Sequence, residues 1–186
     1  MIIVFRERIG RIVEEGRLPR IGRLVSMDLH AELLREGKRH GSACEVRLNT
    51  LKGRCVGSTH DVTCVANAGY ETRGPELVMP ARFAEMVCLL PGLPEGTWSK
   101  IYRTTAGPVR VHFVEGGVEV RVLAEDRMSE AVGCGVAISE LEDEVLLSDK
   151  LISALGIVIE DAGEGFWRFR AEPVERLRRS PSPELW

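Results

Sequence analysis

The chain contains no glutamine, only two asparagines (Asn49 and Asn67), and four lysines against 21 arginines. Scarcity of thermolabile amides accompanies proteins from hot environments, so the composition points to a thermophile, although a GC-rich genome would produce the same arginine bias. The five cysteines, Cys44, Cys55, Cys64, Cys88 and Cys134, include no C-x-x-C pair, which removes the common zinc and thioredoxin patterns. In a reducing compartment such scattered thiols are small core hydrophobes. In a hyperthermophile a disulfide among them is admissible, and spacing does not choose the pair. Cys55, His60 and Cys64 lack a zinc spacing, and His30, His40 and His112 are isolated, so no metal is expected. No apolar run approaches the roughly 18 residues of a membrane span. The apolar start 1–5 is too short for a signal-peptide core and has no basic region before it. The expectation is a cytoplasmic protein with no membrane partner. The glycines at 133–135 and 163–165 match neither a phosphate loop nor a dinucleotide fingerprint, so no cofactor is expected. A net charge of −3 argues against a dedicated nucleic-acid binder. The basic run Arg176-Leu177-Arg178-Arg179 reads as a solvated tail.

What is present fits one core: 186 residues with 44% hydrophobic and 28% charged content would be cramped as two full domains. Residues 1–44 read as an N-terminal extension with weak periodicity, in which Leu29, Leu33 and Leu34 mark a helix. From Glu45 the period changes to two. Val46 and Leu48 alternate with charged neighbours, 51–59 is a loop, and 60–67 returns as a strand, which predicts an antiparallel hairpin. Residues 80–90 carry Phe83, Met86, Val87 and Leu90 on one helical face and stop at Pro91-Gly92. Strands are expected at 101–105 and 109–114 around Ala106-Gly107-Pro108. A turn at Gly116-Gly117 then leads to a strand over 118–123, with others at 132–138 and 144–147. Ser148 caps a short helix that ends at Gly156, and strands at 157–160 and 166–170 close the fold. Residues 171–186 read as a charged, proline-bearing tail, its terminal Leu185-Trp186 either packed or frayed.

The stretch 62–80 reads V-T-C-V-A-N-A-G-Y-E-T-R-G-P-E-L-V-M-P. A strand, a small-residue turn, a second short apolar strand and a Pro-led helix in this order resemble the active-site segment of retropepsin-like aspartic peptidases. Val145-Leu146-Leu147-Ser148-Asp149-Lys150-Leu151, continuing to Leu155-Gly156-Ile157, is similar to that family's late motif, with Ser148 where the family has glycine. The resemblance spans about 45–170. It implies a mainly β fold, a retropepsin-like acid-protease half-barrel with short helices that completes itself as a symmetric homodimer. It also implies a flap at 101–114, whose tip residues Thr104, Thr105, Ala106 and Gly107 would bind an extended peptide.

The family turn is Asp-Thr-Gly or Asp-Ser-Gly, and here Asn67, Ala68 and Gly69 hold the three catalytic-motif positions. Such peptidases share a proton between two carboxylates, one from each copy of the turn. Asn67 does not titrate, and Ala68 lacks the hydroxyl that bonds across the dimer. The expectation is therefore a pseudoenzyme with a peptide-binding or structural role. The alternatives are an active aspartic endopeptidase using an unplaced acid and an unrelated small β-rich binding module. Asp161-Ala162-Gly163 also resembles the motif but reads as a turn, and Asp149 reads as a first-turn helix acid.

Overall fold

The computed structural model describes residues 42–104 and 107–186. The expected N-terminal helix and two of the four flap-tip residues, Thr105 and Ala106, lie outside them. The first element, β1 (Ser42–Thr50), turns Cys44, Val46 and Leu48 inward and Glu45 and Arg47 outward. This alternation specifies its register, because a slip of one residue would put charge into the core. It pairs antiparallel with β2 (Thr59–Ala66), matching Cys44 to Cys64 and Val46 to Val62, as the period-two pattern predicts. β2 then runs parallel to β8 (Val145–Leu147), which lies antiparallel to β3 (Glu76–Pro80). In turn β3 is parallel to β7 (Val132–Ser139), which pairs with β5 (Gly107–Ala124), and β5 returns to β1. The circuit β1-β2-β8-β3-β7-β5 is a closed six-stranded barrel. β4 (Trp98–Thr104) extends the sheet beyond β5, and the short β6 (Arg127–Met128) also pairs with β5.

The single strand β5 replaces the two strands and glycine turn expected over 109–123. Gly116 has φ +54°, a conformation L side chains rarely adopt, and the pairing with β7 shifts register between Val114 and Val118. The glycine pair bends the strand without reversing it, so one half carries the β4 hairpin and the other closes the barrel against β1. The helix expected over 80–90 is shorter. It is α1 (Ala81–Met86), with Pro80 as its N-cap residue and Phe83 and Ala84 in the core.

Helix α2 (Asp149–Ala154) follows β8 with Ser148 as its cap, the serine hydroxyl accepting from the Leu151 amide at 3.2 Å. Gly156 at its end has φ +70°. A second sheet comprises β9 (Ile157–Asp161), β10 (Phe166–Phe169) and β11 (Arg178–Arg179) in the order β11-β10-β9. Its Ile157, Trp167 and Phe169 join the main core.

One feature settles an alternative the sequence left open, and a second corrects the sequence reading. Cys55 and Cys88 form a disulfide that ties the β1–β2 loop to the segment after α1, whereas Cys44, Cys64 and Cys134 are free and buried. The basic run at 176–179 is not a solvated tail: Arg178 is only 13% exposed and hydrogen-bonds Glu172 and Asp126. Its guanidinium also lies over the rings of Trp167 and Phe169, 5.6 and 5.0 Å from their centroids. Through it the second sheet is fastened to the β5–β6 turn.

That arrangement sets a pH dependence. Hydrogen bonding to Arg178 holds the Glu172 and Asp126 carboxyls below their ordinary values of 4.5 and 3.8. A depressed folded-state value contributes stability above the ordinary value and loses it as pH falls through the folded one. Arg178→Met should therefore lower the urea midpoint at pH 7, and the gap from the parent protein should narrow at pH 3. A gap unchanged between the two pH values would remove the carboxylates from this account.

Candidate functional site

Asn67 stands at the point where β2 leaves the barrel. Its backbone N–H donates to Leu147 O at 3.2 Å, carrying the β2–β8 ladder one residue further, and its carbonyl accepts from the Tyr70 amide at 3.0 Å. The side-chain Oδ1 accepts from the Gly69 amide at 3.1 Å. This is an Asx turn, a local bond that asparagine and aspartate make readily. Asn67 is half-buried, and Ala68 and Gly69 are exposed.

The chain after the turn is laced to the start of α2. Tyr70 O accepts from the Asp149 amide at 3.0 Å, and Asp149 Oδ1 accepts from the Thr72 amide at 3.0 Å. The same oxygen also accepts from the Thr72 hydroxyl at 3.4 Å and the Lys150 amide at 2.7 Å. Ser148 N–H donates to Glu76 O at 3.1 Å, and the Glu76 amide donates to Ser148 Oγ at 3.2 Å. Ser148 is thus both a helix cap and a strut to β3. Asp149, read as a helix acid, also anchors the loop. These bonds use its near oxygen, and Lys150 pairs with the far one at 3.7 Å. Asp161 ends β9, where its Oδ1 accepts from the Gly163 and Glu164 amides of the following turn, each at 2.9 Å. Both acids therefore serve local structure.

β4 and β5 form an antiparallel hairpin over the stretch read as a flap, with Thr104 paired to Gly107. Its underside is aromatic: Trp98 stacks on Phe113 with centroids 4.1 Å apart, and Tyr102 lies 6.5 Å from Phe113. Beneath it the outward residues of four barrel strands, Val65, Val78, Ala137 and Leu146, form a second buried cluster with Tyr70 and Phe113, against which Tyr102 and Val111 pack. Tyr70 is buried at 1% exposure and its hydroxyl bonds Glu76. The space between hairpin base and barrel wall is therefore filled by the chain's own side chains.

Sequence reasoning missed Tyr70, Thr72, Glu76 and Phe113. The signal was the apolar run Leu77-Val78-Met79 and the out-of-phase Val65, since a strand covered on both faces loses its alternation. Other nucleophile and ligand candidates are consumed by structure. Burial pushes the Cys44 and Cys134 thiols up to about 12 and Cys64 well above its ordinary range, which leaves them without thiolate near neutrality. His60 sits edge-on to Phe83, and among the described residues no group of His, Cys, Asp and Glu could hold a metal ion. No helix among the described residues is long and apolar enough to cross a membrane. No protein-family model matches the chain, and no curated protein matches it.

Proposed function

We propose that this chain is a retropepsin-like aspartic-peptidase homologue that has lost hydrolysis and serves as a dimeric scaffold or peptide-binding module. The observation that carries the reading is the position of Asn67. It ends β2 beside the parallel strand β8, with β3 crossing between β8 and β7, and its turn is tied to the cap of α2. That is the setting in which the family places its aspartate. Two such turns facing each other across a two-fold axis would complete the site, but they would bring together amides rather than carboxylates. An amide offers a donor and an acceptor and takes no proton from water, and a missing general base alone costs roughly 10²–10⁴ in rate.

The filled space under the hairpin base favours the scaffold role at that place. An extended ligand would need the hairpin tip or an outer edge. The compartment proposed is the cytoplasm of a heat-adapted cell, where a Cys55–Cys88 bond is compatible with an intracellular protein.

The test is hydrolysis. The purified protein should cleave no member of a mixed peptide library between pH 3 and 8. Asn67→Asp with Ala68→Thr should recover little, because Asp149 and Ser148 now hold the turn in a bonding scheme of their own. Turnover by the parent protein would overturn the reading, and turnover that persists in an Asp149→Ala, Asp161→Ala variant would also place the chemistry away from both acids.

A further inference from the structure

Strand β4 ends the path of the large sheet, so one of its sides has no neighbouring strand among the described residues. A strand in that position offers alternate N–H and C=O groups to any extended chain. Apart from Tyr102, its described side chains are open to solvent: Ile101 is 57% exposed and Trp98 43%. Between Trp98 and Val114 the sequence carries Lys100, Arg103 and Arg110 and not one aspartate or glutamate, in a protein whose net charge is −3. The pairing register sets Ile101 opposite Arg110 and Lys100 opposite Val111. Lys100 and Arg103 are three residues apart and so out of phase along the strand, which sets them on opposite faces of the hairpin, and Arg110, opposite Ile101, joins Arg103 on its face. Lys100 Nζ lies 4.8 Å from the Tyr102 ring centroid. None of the three cations forms an ion pair with a described residue.

Charged residues on an edge strand commonly serve to keep other edges away. That role accounts for Lys100 and Arg103. It does not account for an exposed isoleucine between them, an exposed tryptophan at one end, or the absence of any acid from this arm of an acidic molecule. We propose that the outer edge of β4 binds an extended acidic peptide as an added strand, with acids placed against Lys100 and Arg103 and an apolar side chain beside Ile101. Backbone pairing would supply affinity and the charges would select the partner and its register. A second copy of this chain is disfavoured as occupant, since pairing two β4 strands brings two sets of like charge together. The inference goes beyond the proposal above. Neither the Asn67 turn nor the dimer enters it, so either can fail alone.

The test uses the full chain and a fluorescein-labelled decapeptide containing Glu-Val-Val-Glu, whose two glutamates fall on opposite faces of a strand as Lys100 and Arg103 do, followed by anisotropy at low salt. Binding in the micromolar range is expected, weakened roughly tenfold or more by Lys100→Glu with Arg103→Glu, and by raising the salt. The same peptide N-methylated at alternate residues should not bind, because it cannot pair along a strand; binding undiminished by N-methylation would reduce the contact to charge alone and overturn the proposal. A lysine-for-glutamate peptide should also fail. Equal or tighter binding of a fifteen-nucleotide oligo(dT) would assign the arm to nucleic acid instead. Self-association abolished by Arg103→Glu would assign the edge to a second copy. Silence with every probe would leave the charges as guards of the edge, and the proposal would be wrong. Because Lys100 and Arg103 are solvent-exposed, the double variant should keep the parent melting curve, which separates lost binding from lost folding.

Discussion

Reducing the Cys55–Cys88 disulfide is expected to cost about 3–4 kcal/mol of stability and to lower the melting midpoint by roughly ten degrees. The bond spans 33 residues of sequence, and closing a loop of that length removes unfolded conformations. In the folded state it ties the β1–β2 loop to the exit of α1. The two segments approach so closely that a Cβ on Gly53 would meet Cys88 O at 2.6 Å. Without the bond, the amide of Arg54 still donates to Cys88 O at 3.4 Å, a long contact that holds little. Cys55→Ser with Cys88→Ser should reproduce the loss without reductant, since the other three cysteines are buried in the barrel. Thiol counting must accompany the measurement. A midpoint unmoved in protein that titrates with five free thiols would show that the core alone holds this end of the barrel.

The second large effect belongs to the tail. Ser180 is buried; its hydroxyl accepts from the Ala43 amide at 2.8 Å and donates to Gly165 O at 2.8 Å. Beyond the two prolines, Glu184 accepts from the Thr63 amide at 2.9 Å, which lies on β2 just short of its pairing with β8. Trp186 donates its backbone N–H to Asp143 O at 3.0 Å and packs its ring against Phe83, centroids 4.4 Å apart. Leu185, expected with it, is exposed. Trp186→Ala should therefore cost about 2–4 kcal/mol. Trp186→Phe should cost far less, because it keeps the ring contact and discards an indole N–H that is buried without a partner. Removing 180–186 should exceed either, since it also frees the amides of Ala43 and Thr63. A truncated protein that melts like the parent would mean that the barrel does not use its tail.

The docked tail marks the boundary of what the residues alone disclose. Period-two alternation in β1, the apolar cluster of β7 and the serine cap of α2 are local signals, and each element lies where its pattern predicts. Gly116-Gly117 misleads, because a glycine pair marks a bend and a reversal alike. Which one occurs depends on β1 and β7 being present on either side of β5. The same holds for Cys55 and Cys88, for Arg178 against Glu172 and Asp126, and for Trp186 against Phe83. Apart from Glu172, six residues from Arg178, each partner is distant in sequence, and nothing in the residue's own neighbourhood names it. The Asn67 turn was legible as a position, while the bonds that hold it, from Asp149 to Thr72 and from Ser148 to Glu76, became visible only with α2 folded against it. The sequence reading also missed that Tyr70 fills the space beneath the hairpin.

The central proposal, that two Asn67 turns meet across a symmetry axis, is tested most directly by a cross-link. Ala68 is exposed at the turn, so Ala68→Cys places a thiol where the family's turns touch, against a control with the thiol at Glu164 in the second sheet. Mild oxidation should convert the Ala68→Cys protein to a covalent dimer at micromolar concentration and leave the Glu164→Cys protein largely uncoupled. A monomer in sedimentation, with no more cross-linking at 68 than at 164, would contradict the dimer and the family resemblance with it.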